Sequence, residues 1–352
     1  MTQLQQTERS KQAGVALILA LLVVALVAAI AVELSWKFDL SVTRSANRWY
    51  GVQADAYLLG AEEVGVFLLE TDADEDSQDG ILSDTLTEIW ATSQQFPTDE
   101  GWLRASLEDA QGRFNINALV KKAQKPNGNK TPAPWQKWTA AQRRFIRLLQ
   151  TIEIEPEVYM DQQVAMSLTE AVIDWVDKDS KVTGFGGAES DYYGQLEPPF
   201  VIANRPMISV SELNIIRGMT PQLYQALLPL VIALPDEEAT LNVNTMPFEL
   251  IRTINSKTEL YPSTVDDAQY IFEERGAGFD DIEAFKTSGA VDQVVGGGGG
   301  NTNLDTDGLG VASKYFLMFG DTAVGETIRQ RKTLMHREGN KVTILRRTDA
   351  NF

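Results

Sequence analysis

Five carboxylates in one short stretch are the residues of this 352-residue sequence best suited to chemistry. The stretch reads Asp174-Trp-Val-Asp177-Lys-Asp179-Ser-Lys-Val-Thr-Gly184-Phe-Gly186-Gly187-Ala-Glu189-Ser-Asp191-Tyr-Tyr193. Asp177 and Asp179 stand two apart, as alternate ligands of a metal loop do. Gly184, Gly186 and Gly187 let the chain turn sharply, and Glu189 and Asp191 then bring two more carboxylates back. Hard oxygen ligands on a flexible loop suit calcium, which accepts about six to eight of them. Cysteine is absent and the lone histidine, His336, is far away in sequence. Thiolate chemistry is therefore excluded, and zinc or copper lacks a ligand set. The competing reading is an acidic helix end followed by a solvated turn, a place where carboxylates are disfavoured unless a cation offsets them. The spacing is not that of an EF-hand. Acid–base catalysis requires paired carboxylates whose environments separate their proton affinities, and acids clustered beside glycines read as ligation instead.

The elements that position this stretch carry helix signals. Thr139 with Gln142 reads as a capping box ahead of Phe145, Ile146, Leu148 and Leu149. A second helix is expected over 162–176, leading into the carboxylates. Ser209 with Glu212 opens a third, closed by Gly218, and Thr220 with Pro221 opens a fourth. Together, 209–231 has the pattern of a helix-hairpin-helix. Acidic surroundings make it a packing element rather than a grip on nucleic-acid phosphate. Further helices are expected after Met246-Pro247 and from Ser263 with Asp266 to Gly276.

Extended segments flank the helices. Residues 101–117 read as a hairpin turning at Asp109-Ala-Gln-Gly112. Leu241-Asn-Val-Asn-Thr245 echoes the second arm and is a candidate to pair with it. Alternation over 311–319, 326–331 and 341–347 predicts the closing strands of a sheet. The glycine run 296–300 lacks the Lys-Ser/Thr that follows in a phosphate-binding loop. The acidic run Asp72, Asp74, Glu75, Asp76 and Asp79 reads as a solvated loop, because crowded like charges repel; a calcium loop is the sharper alternative, without the ligand spacing of an EF-hand.

The N-terminus decides topology. Every residue of 15–32 is Val, Ala, Leu or Ile. As a helix this run spans roughly 27 Å, close to a bilayer core. Arg9 and Lys11 precede it and no comparable basic cluster follows, which places the bulk of the chain outside the cytoplasm. The small residue suited to processing, Gly14, lies before the apolar run rather than after it. Cleavage between Gly14 and Val15 would keep the helix as the mature N-terminus. A plain anchor and an uncleaved secretory signal compete with that reading. Residues 33–70 contain no proline and carry apolar residues at helical spacing, so the helix continues beyond the membrane. The net charge of -18 argues against nucleic-acid partners.

The leader segment resembles that of type IV pilins and pseudopilins. Taken with Lys11-Gln-Ala-Gly-Val-Ala-Leu, Asp109-Ala-Gln-Gly-Arg-Phe-Asn-Ile-Asn, Asp174-Trp-Val-Asp-Lys-Asp, Gly186-Gly-Ala-Glu, Asp191-Tyr-Tyr, Leu241-Asn-Val-Asn-Thr and Ser313-Lys-Tyr-Phe, it resembles the K-type minor pseudopilins of the bacterial type II secretion system. The resemblance covers nearly the whole chain. Most pilins carry Glu at the fifth position after cleavage; here it is Leu19, and the K-type subunit is similar in lacking that acid.

The resemblance implies an α+β fold. It comprises a prepilin leader at 1–14, a transmembrane helix at 15–32 and its periplasmic continuation at 33–70. A pilin-type α/β domain with an antiparallel sheet follows at 71–118 and 235–352, with a large all-α domain inserted at 119–234. It implies calcium on Asp177, Asp179, Glu189 and Asp191, with Asp174 a further candidate. It also implies a structural, non-enzymatic role: a pseudopilus tip that caps and initiates assembly for export of folded proteins. The implied partners are the I- and J-type minor pseudopilins with H, the major pseudopilin below, prepilin peptidase, the inner membrane and secreted substrates. N-methylation of Val15 goes with that processing. The tip of a type IV pilus, as an adhesin, and a membrane-anchored periplasmic hydrolase are the alternatives.

Overall fold

The computed structural model describes residues 4–123, 133–295, 303–349 and 352. Residues 1–3 of the expected leader and the glycine run 296–300 lie outside them.

Helix α1 spans Leu4–Asp79. No proline interrupts it, and Gly80 ends it with φ at 73°, a left-handed geometry that favours glycine. Its apolar first half is bare, with Leu17, Ile18 and Leu19 each more than half exposed. Further on it buries Ala54, Leu58, Ala61 and Leu69. The acidic run 72–79 is therefore the last part of α1 and not the expected solvated loop. Asp72 is buried and accepts from Arg337 Nη1 at 2.8 Å. That cation offsets the crowding that the sequence implied.

The surface that buries α1 is a five-stranded antiparallel sheet. Strands β1 (Gln94–Thr98) and β2 (Gly101–Asp109) form a hairpin. Short strands follow: β3 (Phe114–Asn115), β4 (Glu153–Glu155), β5 (Val158–Tyr159), β6 (Val231–Ile232), β7 (Leu241–Asn242) and β8 (Leu309–Gly310). Long strands close the chain: β9 (Tyr315–Val324), β10 (Thr327–Glu338) and β11 (Lys341–Thr348). The sheet order is β1-β2-β9-β10-β11. Leu107, Phe316, Met318 and Met335 meet Ala61 and Leu69 of α1, with Trp90 edge-on to Phe316.

The expected hairpin at 101–117 does not form. β2 pairs with β1 and β9, whereas β3 runs parallel to β6. Leu241-Asn242 does not pair with the Asn115 arm either; it runs parallel to β8. Asp109 explains the first departure. It is the N-cap of the tight 3₁₀ turn Ala110–Gly112, which redirects the chain out of the sheet.

The helical body begins there. Helix α2 (Ala140–Thr151) has the expected Thr139–Gln142 capping box, and α3 (Gln162–Val176) ends at Asp177. Short helices α4 (Ser190–Tyr193), α5 (Pro221–Leu227) and α6 (Phe248–Ile251) follow, then α7 (Val265–Arg275), α8 (Ile282–Thr287) and α9 (Gly289–Val295). The first arm of the expected helix-hairpin-helix is a 3₁₀ helix, Val210–Ile215, although its Ser209–Glu212 capping box forms. Helix α7 is capped one residue later than expected, by Thr264 on Asp267; Ser263 instead bonds the Arg252 carbonyl. Apolar residues from both sides of 234, among them Phe145, Leu148, Val172, Leu250, Ile271 and Phe285, share one core. The expected boundary at 234/235 thus does not coincide with a break in packing.

Candidate metal centre

Helix α3 delivers the carboxylates. Asp161 caps its start, its apolar face is buried, and it stops at Asp177, whose amide still bonds the Ile173 carbonyl. The chain then folds back under two constraints. Asp174 accepts from the Thr183 amide at 3.0 Å. Glu170 accepts from the amides of Phe185 and Gly186 at 3.0 and 2.7 Å. A Cβ on Gly187 would stand 2.3 Å from Asp174 Oδ2, so only glycine lets the return strand approach this closely.

This geometry brings Asp177, Asp179 and Glu189 together, with one carboxylate oxygen of each lying within 4.8 Å of the others. Asp174 is buried beside them but engaged with Thr183. Asp191 lies outside the group, exposed in the first turn of α4. Two oxygens on opposite sides of one calcium ion are separated by roughly 4.6–5.2 Å, so the spacing is that of a single oxygen-ligated cation.

The hydrogen bonding sets this group apart. Asp177 Oδ2 and both oxygens of Glu189 are buried and have no hydrogen-bond partner among the described residues. Buried acceptors are normally satisfied; among the described residues both Glu189 oxygens lack donor and counter-ion, while Asp177 Oδ2 has only the Lys122 ammonium at 3.6 Å. Burial, followed by the fields of Asp174, Asp177 and Asp179, pushes the Glu189 carboxyl up to about 7. Burial likewise raises Asp174 to about 6 against its Thr183 hydrogen bonds, and raises Asp177. Asp179 moves the other way, held low chiefly by its hydrogen bond from Lys122. Burial and mutual repulsion thus disfavour the charged forms, a cost that a bound cation would offset.

Two residues that the sequence did not single out border the site. The Lys122 ammonium bonds Asp179 and stands 3.6 Å from Asp177 Oδ2. Asn204 donates to the Asp179 carbonyl at 2.9 Å and leaves its own Oδ1 buried and unpartnered. No local pattern marks either one, since Lys122 and Asp179 are 57 residues apart.

A second acidic group, Asp72, Asp84 and Glu88, offers a contrast. Arg337 bonds both Asp72 and Asp84, Ser313 N–H donates to Asp84, and Trp90 and Thr85 donate to Glu88. These oxygens are hydrogen-bonded from within, although burial still raises Glu88 to about 8 and Asp84 to about 7. The other motif residues are structural as well. Asp109 Oδ2 accepts from Asn242 at 2.9 Å, Thr245 at 2.6 Å and Ser313 at 2.7 Å, which ties three distant motifs at the junction of sheet and helices. Asn117 fastens the same junction through the carbonyls of Met207 and Leu234. At the N-terminus, Gly14 has open space around it, and Val15 and Leu19 face outward.

A family model described as type II secretion system (T2SS), protein K matches residues 112–236. Type II secretion system protein K of Klebsiella pneumoniae is 30% identical over 96% of this chain and 96% of its own length. The protein of that name from Aeromonas hydrophila is 32% identical, covering 96% of this chain and 97% of the relative. The one from Pseudomonas aeruginosa is 32% identical, with 96% and 93% covered. The crystal structure of the GspK-GspI-GspJ complex from the enterotoxigenic Escherichia coli type 2 secretion system contains a chain of the same fold. It superposes with a TM-score of 0.66 at 24% identity, covering 87% of this chain and 98% of that one.

Proposed function

This chain belongs to the type II secretion system protein K family, a minor pseudopilin of the type II secretion system, and from that premise we propose that it is the tip subunit of the pseudopilus. The division of α1 makes the chain a fibre subunit, and its bulky helical body is what carries the tip reading. The first half of α1 is apolar and bare, while its second half is built into the sheet. A bare apolar helix needs lipid before assembly and neighbouring helices afterwards. Leu19 supports the end position, because a subunit with none above it has no use for a carboxylate in the membrane. The helical body attached beyond the sheet would also obstruct a further subunit.

On this reading the N-terminus is cytoplasmic, prepilin peptidase cleaves after Gly14, and Val15 becomes the N-methylated mature terminus. The bulk of the chain lies in the periplasm. The I- and J-type subunits would join it to start the fibre, with H and the major pseudopilin below, for the export of folded proteins. Its part is structural.

Calcium would be held by Asp177, Asp179 and Glu189, and its chemistry there is charge neutralisation. The fit rests on three buried carboxylate oxygens without a hydrogen-bond donor among the described residues, Asp177 Oδ2 and both of Glu189, and on the mutual spacing of the three side chains. Such an ion would fix the return loop to the end of α3 and couple folding to metal.

The deciding experiment is purification of the full chain in detergent with the I- and J-type minor pseudopilins, with and without calcium. A stable complex is expected; failure under both conditions overturns the tip reading. Mass analysis should find a mature chain beginning at methylated Val15. An intact Met1 in a strain with active prepilin peptidase contradicts the processing.

A further inference from the structure

Three arginines of α2 are buried around a single carboxylate. Arg143, Arg144 and Arg147 are 6%, 2% and 0% exposed, and Asp305 lies among them. Arg143 takes both Asp305 oxygens, Nε to Oδ2 at 2.7 Å and Nη2 to Oδ1 at 2.8 Å. Arg147 directs its donors to the carbonyls of Thr253, Ser256 and Glu259. Arg144 is left over. Its Nη2 donates to the Asp305 main-chain carbonyl at 2.6 Å, and its Nε is buried with no acceptor. Among the described residues no carboxylate lies within ion-pair distance of it. Burial pushes its proton affinity down, against the more distant fields of Asp305 and Asp307. A guanidinium taken out of water without a counter-ion is costly, and the structure holds one in place.

Arg144 lines a cleft of about 630 Å³ between the 3₁₀ turn Pro134–Lys137, the start of α2 and the chain at Glu238, Thr240 and Gly308. Nη1 lies 3.4 Å from where a Cβ on Gly308 would stand. Trp135 and Trp138 supply apolar wall. The rim cations are already engaged: Arg113 with Glu108, Lys121 with Glu238, and Lys122 with Asp177 and Asp179. The stretch 124–132, Gln-Lys-Pro-Asn-Gly-Asn-Lys-Thr-Pro, contains no acid to serve as counter-ion.

We propose that this cleft receives a carboxylate side chain carried on a peptide segment of a partner protein, the carboxylate resting on Arg144 and an apolar neighbour lying against Trp135 and Trp138. The cleft is many times larger than one carboxylate and is walled on one side by indole, which suits a peptide better than a free ion. Glu237 and Asp307 line the cleft as well and repel a phosphate dianion more than a singly charged group; Glu238 is paired with Lys121. Lys122 belongs both to the cleft rim and to the candidate calcium group, whereas Arg144, Trp135 and Trp138 belong to the cleft alone.

The test uses the full chain in detergent micelles, titrated with acetyl-Leu-Glu-Leu-amide and with its Gln counterpart, read by calorimetry and tryptophan fluorescence. The Glu peptide should bind about tenfold tighter or more. Gly308→Asp places a carboxylate at Nη1, at a positive-φ position where Asp is better tolerated than most residues, and should abolish that preference. Arg144→Met should abolish it too, with Arg144→Lys restoring part. Equal binding of the two peptides, no binding by either, or a preference that survives Gly308→Asp overturns the proposal. Sodium acetate separates the sources. Displacement of the peptide only at far higher acetate concentration supports a peptide-borne group, and acetate binding as tight as the peptide overturns the peptide assignment.

Discussion

Lys122 holds its ammonium 3.6 Å from Asp177 Oδ2 while bonding Asp179, so a lysine already occupies part of the space that a cation would claim. The two charges compete for the same oxygens. The lysine is exposed, so its hold is weak. Lys122→Met should tighten calcium binding by about two- to fivefold, the scale of one exposed ion pair. It should also lower the thermal midpoint of the calcium-free protein. Calorimetric titration checks the first expectation and a melting curve in chelator the second.

The same cluster dictates a pH dependence. Glu189 and Asp174 have folded-state values of about 7 and about 6, above their ordinary values of 4.5 and 3.8. A raised carboxyl stabilises the fold while protonated, fully so below its unfolded value, and that contribution is lost as pH rises through the folded value. The calcium-free protein should therefore lose stability between about pH 4 and 7, and Glu189→Gln should remove part of that slope. Saturating calcium should reverse the trend, because the metal needs the ionised carboxylates. Melting midpoints against pH, in chelator and in calcium, distinguish the cases.

Arg337 is the counterpart on the pilin-type sheet. It joins Asp72 at the end of α1 to Asp84 and to the Ser313 carbonyl. Arg337→Met should destabilise the fold by about 3–5 kcal/mol, since it strands two buried carboxylates. Adding Asp84→Asn should recover part of the loss. Denaturant titration of the single and double variants measures both.

Gly112 lies where two distant motifs touch. A Cβ there would stand 2.9 Å from Thr245 Oγ1 and 3.1 Å from the Thr245 carbonyl oxygen. Gly112→Ala should cost about 1–3 kcal/mol by pushing Thr245 off Asp109. Thr245→Ser, which keeps the hydroxyl, should be much milder in the same melting assay.

Local spacing makes several features legible in the sequence. The run 15–32, the proline-free continuation to Glu70 and the Thr139–Gln142 box rest on neighbours a few residues apart, and helices are governed by such spacing. The carboxylates of the candidate site are legible as residue types for the same reason. Which of them converge is a tertiary matter. Asp191 sits too far along the chain, in the first turn of α4, and faces solvent, whereas Asp177, Asp179 and Glu189 meet because Glu170 and Asp174 pin the return loop. The acidic run 72–79 reads as solvated because its neutralising partner, Arg337, is 265 residues away from Asp72. The hairpin reading of 101–117 fails because strand pairing depends on which distant strand is free to bond, and β9 is. Sequence alone thus determined the long apolar helix, the local caps and the carboxylate residue types of the candidate site. Only the tertiary structure decided which charges are paired and which are left over, because a charge in a core is balanced by whatever the fold brings within a few ångströms, at any separation along the chain.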